Sequence, residues 1–149
     1  MGARTTAREA ALQMLFAIDA TGNDVDQAIS DFWRELPGDA EGREYADQLV
    51  RGVRTDAENL DQRIRAASQN WRLERMARID RNALRLGTYE LLTRTDVPRA
   101  VVLDEAVELA KRFGGDESSK FVNGVLDRIA DDLGRKDSDK GGADQGSAG

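Results

Sequence analysis

A chain of 149 residues that contains neither cysteine nor histidine excludes disulfides, thiolate and imidazole metal sites, and the Ser-His-Asp and Cys-His catalytic arrangements. Its formal charge of −6 argues against indiscriminate attraction to polyanions, and its length fits one domain with a real core. No apolar run approaches a membrane span, so a soluble, cytoplasmic protein is expected.

Ala10, Ala11, Met14, Leu15 and Ile18 recur at helical spacing and predict a first helix over 7–21, stopped by Gly22. Asp24 is placed to cap a second helix, with Val25, Ile29, Phe32, Trp33 and Leu36 inward and Pro37-Gly38 at its end. A third helix from about Glu41 carries Tyr45, Leu49, Val53, Leu60 and Ile64, with a bend expected between Thr55 and Asn59, where helix propensity drops. Trp71-Arg72-Leu73 reads as a short connection.

The next helix, from about Arg75 to Thr93, has an apolar set of Ile79, Ala83, Leu84, Leu86, Gly87 and Leu91 that wraps more than one stripe. That suits a central helix touching neighbours on two sides. Asp96-Val97-Pro98 is a loop, and Asp104 is expected to cap a helix with Ala106, Leu109, Ala110 and Phe113 inward, closed by Gly114-Gly115.

Asn123-Gly124, in "SSKFVNGVLDRI", is in isolation a β-hairpin cue. The surrounding Phe121, Val122, Val125, Leu126 and Ile129 keep the helical spacing of the first helix, so the pair is expected inside a last helix. Ser118 or Ser119 would cap that helix and Gly134 would stop it. Glycine within a helix costs about 1 kcal/mol relative to alanine, which suggests a local purpose: close helix contact at Gly124, and an interhelical bond or a ligand for the Asn123 amide. Residues 1–133 are therefore expected to form the folded domain, and 134–149, with no large apolar side chain, a disordered polar tail.

Charge is distributed unevenly. Residues 63–94 hold eight arginines and no lysine against Glu74, Asp80 and Glu90, a net of +5, whereas the stretch from Asp19 to Asp61 is acidic. Arg78, Arg81 and Arg85 fall on one line of their helix, which an extended anion can track. The plainer alternative is a set of arginine-carboxylate pairs, with Asp80 solvated or bridged to Arg78 or Arg81.

The strings "ARIDRNALRLGTYELL" and "DVPRAVVLDEAVELAKRFGGDESSKFVNGVLDRI", in that order, resemble the second half of the bacterial transcription antitermination factor NusB family. "AREAALQMLFAID" resembles that family's first helix, and residues 22–70 match in pattern only. The resemblance implies an all-α, NusB-like fold of two packed helical subdomains with about six to seven helices, in agreement with the periodicity. It also implies a non-catalytic adaptor without metal or cofactor. The adaptor would bind the boxA element of nascent ribosomal RNA together with ribosomal protein NusE, within the RNA polymerase antitermination complex.

Carried over by position, the implied RNA-binding residues are Arg4, Arg8, Phe16, Asp80, Arg85, Lys120 and Phe121. Thr5 and Thr6 stand where further arginines are common, which thins the phosphate grip; Phe16 replaces a usual tyrosine; and Glu117 matches a position whose charge repels phosphate. Helical spacing alone makes Phe16 and Phe121 core residues. The alternative to an RNA adaptor is a purely protein-binding helical module, or a homodimer, whose basic face meets an acidic partner.

Overall fold

The computed structural model describes residues 2–36 and 40–136, and every regular element among them is helical. In chain order these are α1 (Ala3–Thr21), α2 (Val25–Glu35), α3 (Ala40–Thr55), α4 (Ala57–Ala67), a single 3-10 turn at Leu73–Arg75, α5 (Arg78–Thr93), α6 (Arg99–Gly114) and α7 (Asp116–Asp132). Pro37-Gly38 and most of the expected tail lie outside the described residues.

Local chemistry sets most of these ends. Gly22 takes a left-handed φ of 77°, which lets its N–H close on the Ile18 carbonyl at 2.8 Å and ends α1. Asp24 caps α2 by accepting from the Gln27 N–H at 2.8 Å. The bend expected near Thr55 is a full break into α3 and α4.

Two expected caps are not used. Pro98 has φ −59°, and its carbonyl accepts from the Val101 and Val102 N–H groups, so α6 starts at Arg99 and leaves Asp104 exposed within the helix. Ser118 and Ser119 bond back to the carbonyls of Gly114, at 3.2 Å, and Asp116, at 2.7 Å. Helix α7 instead starts after Gly115, whose φ of 95° makes the corner, and it presents Asp116 and Glu117 to the positive end of its own dipole.

Helices α1, α2 and α3 pack together as one subdomain and α4, α6 and α7 as another, while α5 lies between them and touches α1, α3, α4, α6 and α7. The two-sided apolar surface of α5 is what this position requires. Leu84 and Leu91 are buried on one face of it and Leu86 on the opposite one, in a core that includes Leu12, Leu49, Leu60, Leu126 and Ile129. Each such side chain contributes about 1.5–3 kcal/mol through burial. Leu36 and Phe113 depart from the expected inward face and are 55% and 40% exposed, because each stands at the end of its helix, where packing against the bundle runs out.

Asn123-Gly124 does lie inside a helix, but the close contact is elsewhere. A Cβ at Gly124 would meet only Arg128 Nη2, at 3.9 Å, and Asn123 is exposed. A Cβ at Gly87 would come within 2.8 Å of the buried Leu126 Cδ1, so it is Gly87 that allows α5 and α7 to approach. Gly87→Val is accordingly expected to lower the unfolding free energy by about 1–3 kcal/mol through overpacking. Gly124→Ala should raise it by up to about 1 kcal/mol. Urea titration measures both, and the reverse order would contradict this packing.

Candidate nucleic-acid interface

The polar groups of the basic half sort into two internal networks and one open surface. In the first network, Arg8 of α1 reaches Glu90 of α5 through Nε, 2.8 Å from Oε1, and Nη2, 2.9 Å from Oε2. Its Nη1 donates to Glu105 of α6 at 2.9 Å, and Glu90 also accepts from the Tyr45 hydroxyl of α3 at 2.8 Å. Arg8 and Glu90 are 3% and 2% exposed. Around the Tyr45 ring stand the guanidinium groups of Arg4, 4.7 Å from its centre, and Arg94, 4.9 Å.

Burial by itself would push the Arg8 guanidinium down, but the hydrogen bond and charge of Glu90 outweigh it and hold the group above its ordinary value. The Tyr45 phenol is pushed up to about 12, by burial first and then by the neighbouring Glu90 carboxylate.

The second network lies where the end of α1 meets the start of α5. Asp19 accepts from Arg81 Nε at 2.7 Å and from Asn82 Nδ2 at 3.1 Å, with Arg85 Nη1 at 3.6 Å. Arg85 clamps Asp61 of α4 through Nε at 2.8 Å and Nη2 at 3.2 Å. Burial would raise the Asp19 carboxyl, yet the hydrogen bonds from Arg81 and Asn82 hold it below the usual carboxylate range.

These networks engage two of the expected positions. Arg8 is enclosed, with its guanidinium bonded to two carboxylates. Arg85 is half-buried, and the Arg78, Arg81, Arg85 line is not an open cationic track, because Asp19 and Asp61 of the acidic segment engage Arg81 and Arg85. The physical reason is that α5 is central: side chains on several of its faces meet another helix before they meet solvent.

Three of the expected residues, Asp80, Lys120 and Phe121, share an open surface. The start of α5, the start of α7 and the 3-10 turn enclose a depression of about 490 Å³ lined by Asp80, Glu117, Lys120 and Phe121, together with Trp71 and Arg75. Asp80 Oδ1 is buried and accepts no hydrogen bond, which leaves an acceptor unsatisfied beside the depression. Lys120 is exposed, and Phe121 is half-buried with its ring edge-on to Trp71, 5.9 Å between centres.

Phe16, expected as core from spacing alone, is 37% exposed on α1. Arg4, half-exposed, pairs with Asp96 at 3.3 Å beyond the far end of α5. That places it roughly 20 Å from Asp80 along the helix, at the usual 1.5 Å rise per residue. Trp71 and Arg75 were not among the expected site residues. Trp71 sits in a connection outside any amphipathic stripe, and that is the signal which could have marked it as a surface aromatic.

Two packed helical subdomains around one central helix define an all-α protein of the NusB-like fold, here with aromatic rings and a lysine around one depression of its surface. The NusB family model matches residues 5–131. The chain is 65% identical over 140 residues to the transcription antitermination protein NusB of Sorangium cellulosum, covering 94% of this chain and 100% of that protein. Among solved structures it is similar to NusB of T. maritima, with a TM-score of 0.80 and 40% identity over 86% of this chain and 90% of that one. It is also similar to a chain in the crystal structure of antitermination factors NusB and NusE in complex with dsRNA, with a TM-score of 0.82 and 29% identity over 89% of this chain and 98% of that one. The chain belongs to the NusB family.

Two measurements check the buried network. Arg8→Met should cost about 3–5 kcal/mol of stability, because it strands the buried Glu90 charge. The Tyr45 phenol is raised from 10.0 to about 12, so its contribution to stability is complete below pH 10 and is lost as pH rises from 10 through 12. In absorbance titration at 295 nm, Tyr45→Phe should remove a step near pH 12; a Tyr45 step near pH 10 would contradict the network.

Proposed function

We propose that this protein is a transcription antitermination factor that acts as a non-catalytic, cytoplasmic adaptor. It binds a boxA-type single-stranded element of nascent ribosomal RNA together with ribosomal protein NusE, in the RNA polymerase antitermination complex. Family membership over residues 5–131 supports this reading, as does likeness to a chain from a structure of NusB and NusE with dsRNA. The observation that carries it is the depression where Lys120, Phe121 and Asp80 meet.

The chemistry of that surface suits unpaired RNA. Lys120 meets a phosphate, the Phe121 ring takes a base face, and Asp80 accepts from an exocyclic amino group. Phe16 offers a further exposed ring on α1, and Arg4 supplies a cation at the far end, held by an exposed pair with Asp96 and by the face of Tyr45. Arg8 and Arg85 enter as positioning residues: they hold α1, α4, α5 and α6 in register, and the exposed rings depend on that register. Glu117, exposed at the rim, opposes phosphate. With few free cations on an acidic molecule, binding to RNA alone is weak, and NusE adds the remaining contacts.

Fluorescence anisotropy with a boxA-like oligonucleotide at fixed salt should show a substantial gain in affinity when NusE is added. Equal binding with and without NusE would overturn the adaptor reading. Lys120→Ala should weaken the ternary complex and reduce the slope of log K against log salt by about 0.7, the share of one phosphate on a single strand.

A further inference from the structure

Trp71 is the most exposed large apolar side chain among the described residues, at 64%. An indole in that position is not spent on the core, and its backbone is fixed. The Trp71 N–H bonds to the Ser68 carbonyl at 2.8 Å, and Ser68 is buried with its hydroxyl on the Ile64 carbonyl at 2.6 Å, which anchors the turn to the end of α4. On its other side the ring is braced edge-on by Phe121. A rigid aromatic plate is thus held out of the bundle.

The plate divides two depressions. On one side is the Asp80 surface already described. On the other is a hollow of about 420 Å³, whose lining shares Trp71, Lys120 and Phe121 and adds Gln69, Asn70 and Arg128. Both hollows are of a size that holds small organic groups. They differ in charge: the Asp80 side carries two carboxylates, whereas no carboxylate lines the second hollow, which has the cations Lys120 and Arg128. Arg128 is pinned by a 2.8 Å bond to the Ala67 carbonyl, so its charge is fixed at the wall. Gly124 leaves the floor open, since a side chain there would meet nothing but Arg128.

We infer that the Gln69–Trp71 turn, with Lys120 and Arg128, forms a second base-binding subsite, in which an unpaired nucleobase stacks on Trp71 and its flanking phosphates lie against the two cations. The inference rests on the RNA-binding reading above and extends it: the strand crosses Trp71 from the Asp80 surface into the second hollow. The aromatic face supplies stacking that any base can use, the amides of Gln69 and Asn70 offer both donors and acceptors to a base edge, and the missing carboxylates spare the phosphates repulsion. A purely apolar partner would leave those amides and cations unmatched.

Trp71→Ala and Trp71→Phe are compared with the parent, after circular dichroism has shown equal helicity, for binding of a boxA-like oligonucleotide in the presence of NusE. Trp71→Ala is expected to lose about tenfold in affinity and Trp71→Phe to keep most of it, as stacking requires. The oligonucleotide should also quench parent tryptophan emission more than that of Trp71→Phe, where only the buried Trp33 remains. Affinity for NusE without RNA should be the same for all three proteins.

Parent-like RNA affinity in Trp71→Ala would overturn the subsite while leaving the adaptor reading intact. An equal loss in NusE binding without RNA would overturn it in favour of a protein contact. Failure of the parent itself to bind RNA with NusE would overturn the adaptor reading and the subsite with it.

Discussion

The buried pair of Arg8 and Glu90 is the interaction on which the rest of the structure depends. A carboxylate 2% exposed is tolerable only if its charge is matched and its lone pairs are filled, and Glu90 meets both conditions by drawing on α1 through Arg8 and α3 through Tyr45. Arg8 in turn reaches α6 through Glu105. The Arg8–Glu90 pair, extended to Glu105, therefore ties the two helical subdomains across α5. A sliding of α1 along α5 by one turn would separate Arg8 from Glu90 and Asp19 from Arg81 together, so the two networks at opposite ends of the helix pair define a single register.

That register decides which charges face solvent. Part of the +5 of residues 63–94 is matched inside the fold, since Arg81 and Arg85 neutralise Asp19 and Asp61, while Arg72, Arg75 and Arg78 stay exposed. At the contact of the two segments, Asp19 and Asp61 of the acidic one meet Arg81 and Arg85 of the basic one. What reaches the surface near the start of α7 is Arg75, Lys120, Arg128 and the rings of Trp71 and Phe121. A surface of this kind grips by stacking and shape more than by charge, which is consistent with an acidic molecule that needs a second protein to hold its RNA.

Much of the architecture was legible in the residues, for an identifiable reason. The helices follow from the 3.6-residue recurrence of apolar side chains, which resolved Asn123-Gly124 as helix against its hairpin cue. The width of the apolar surface on α5 announced its central place. Asp24 and Gly22 act where their chemistry says they should. Asp104, Ser118 and Ser119 do not, because Pro98 and Gly115 offered earlier starts to the helices that contain them, and a cap is a competition among neighbouring positions.

The sequence by itself determined the helical class, the central helix, the excess of arginine and, through its resemblance to the NusB family, a list of residues to inspect. Only the tertiary structure decided which of those residues are free to act. Periodicity states which face of a helix is apolar, but a charged residue's availability depends on what the opposing helix brings to it. Thus Arg8 and Arg85, alike in sequence to any exposed arginine, became internal ties, while Trp71, which no spacing singled out, was left at the surface. Local patterns act through neighbours along the chain, whereas the pairing of Arg8 with Glu90 spans 82 residues and exists only once the bundle has closed.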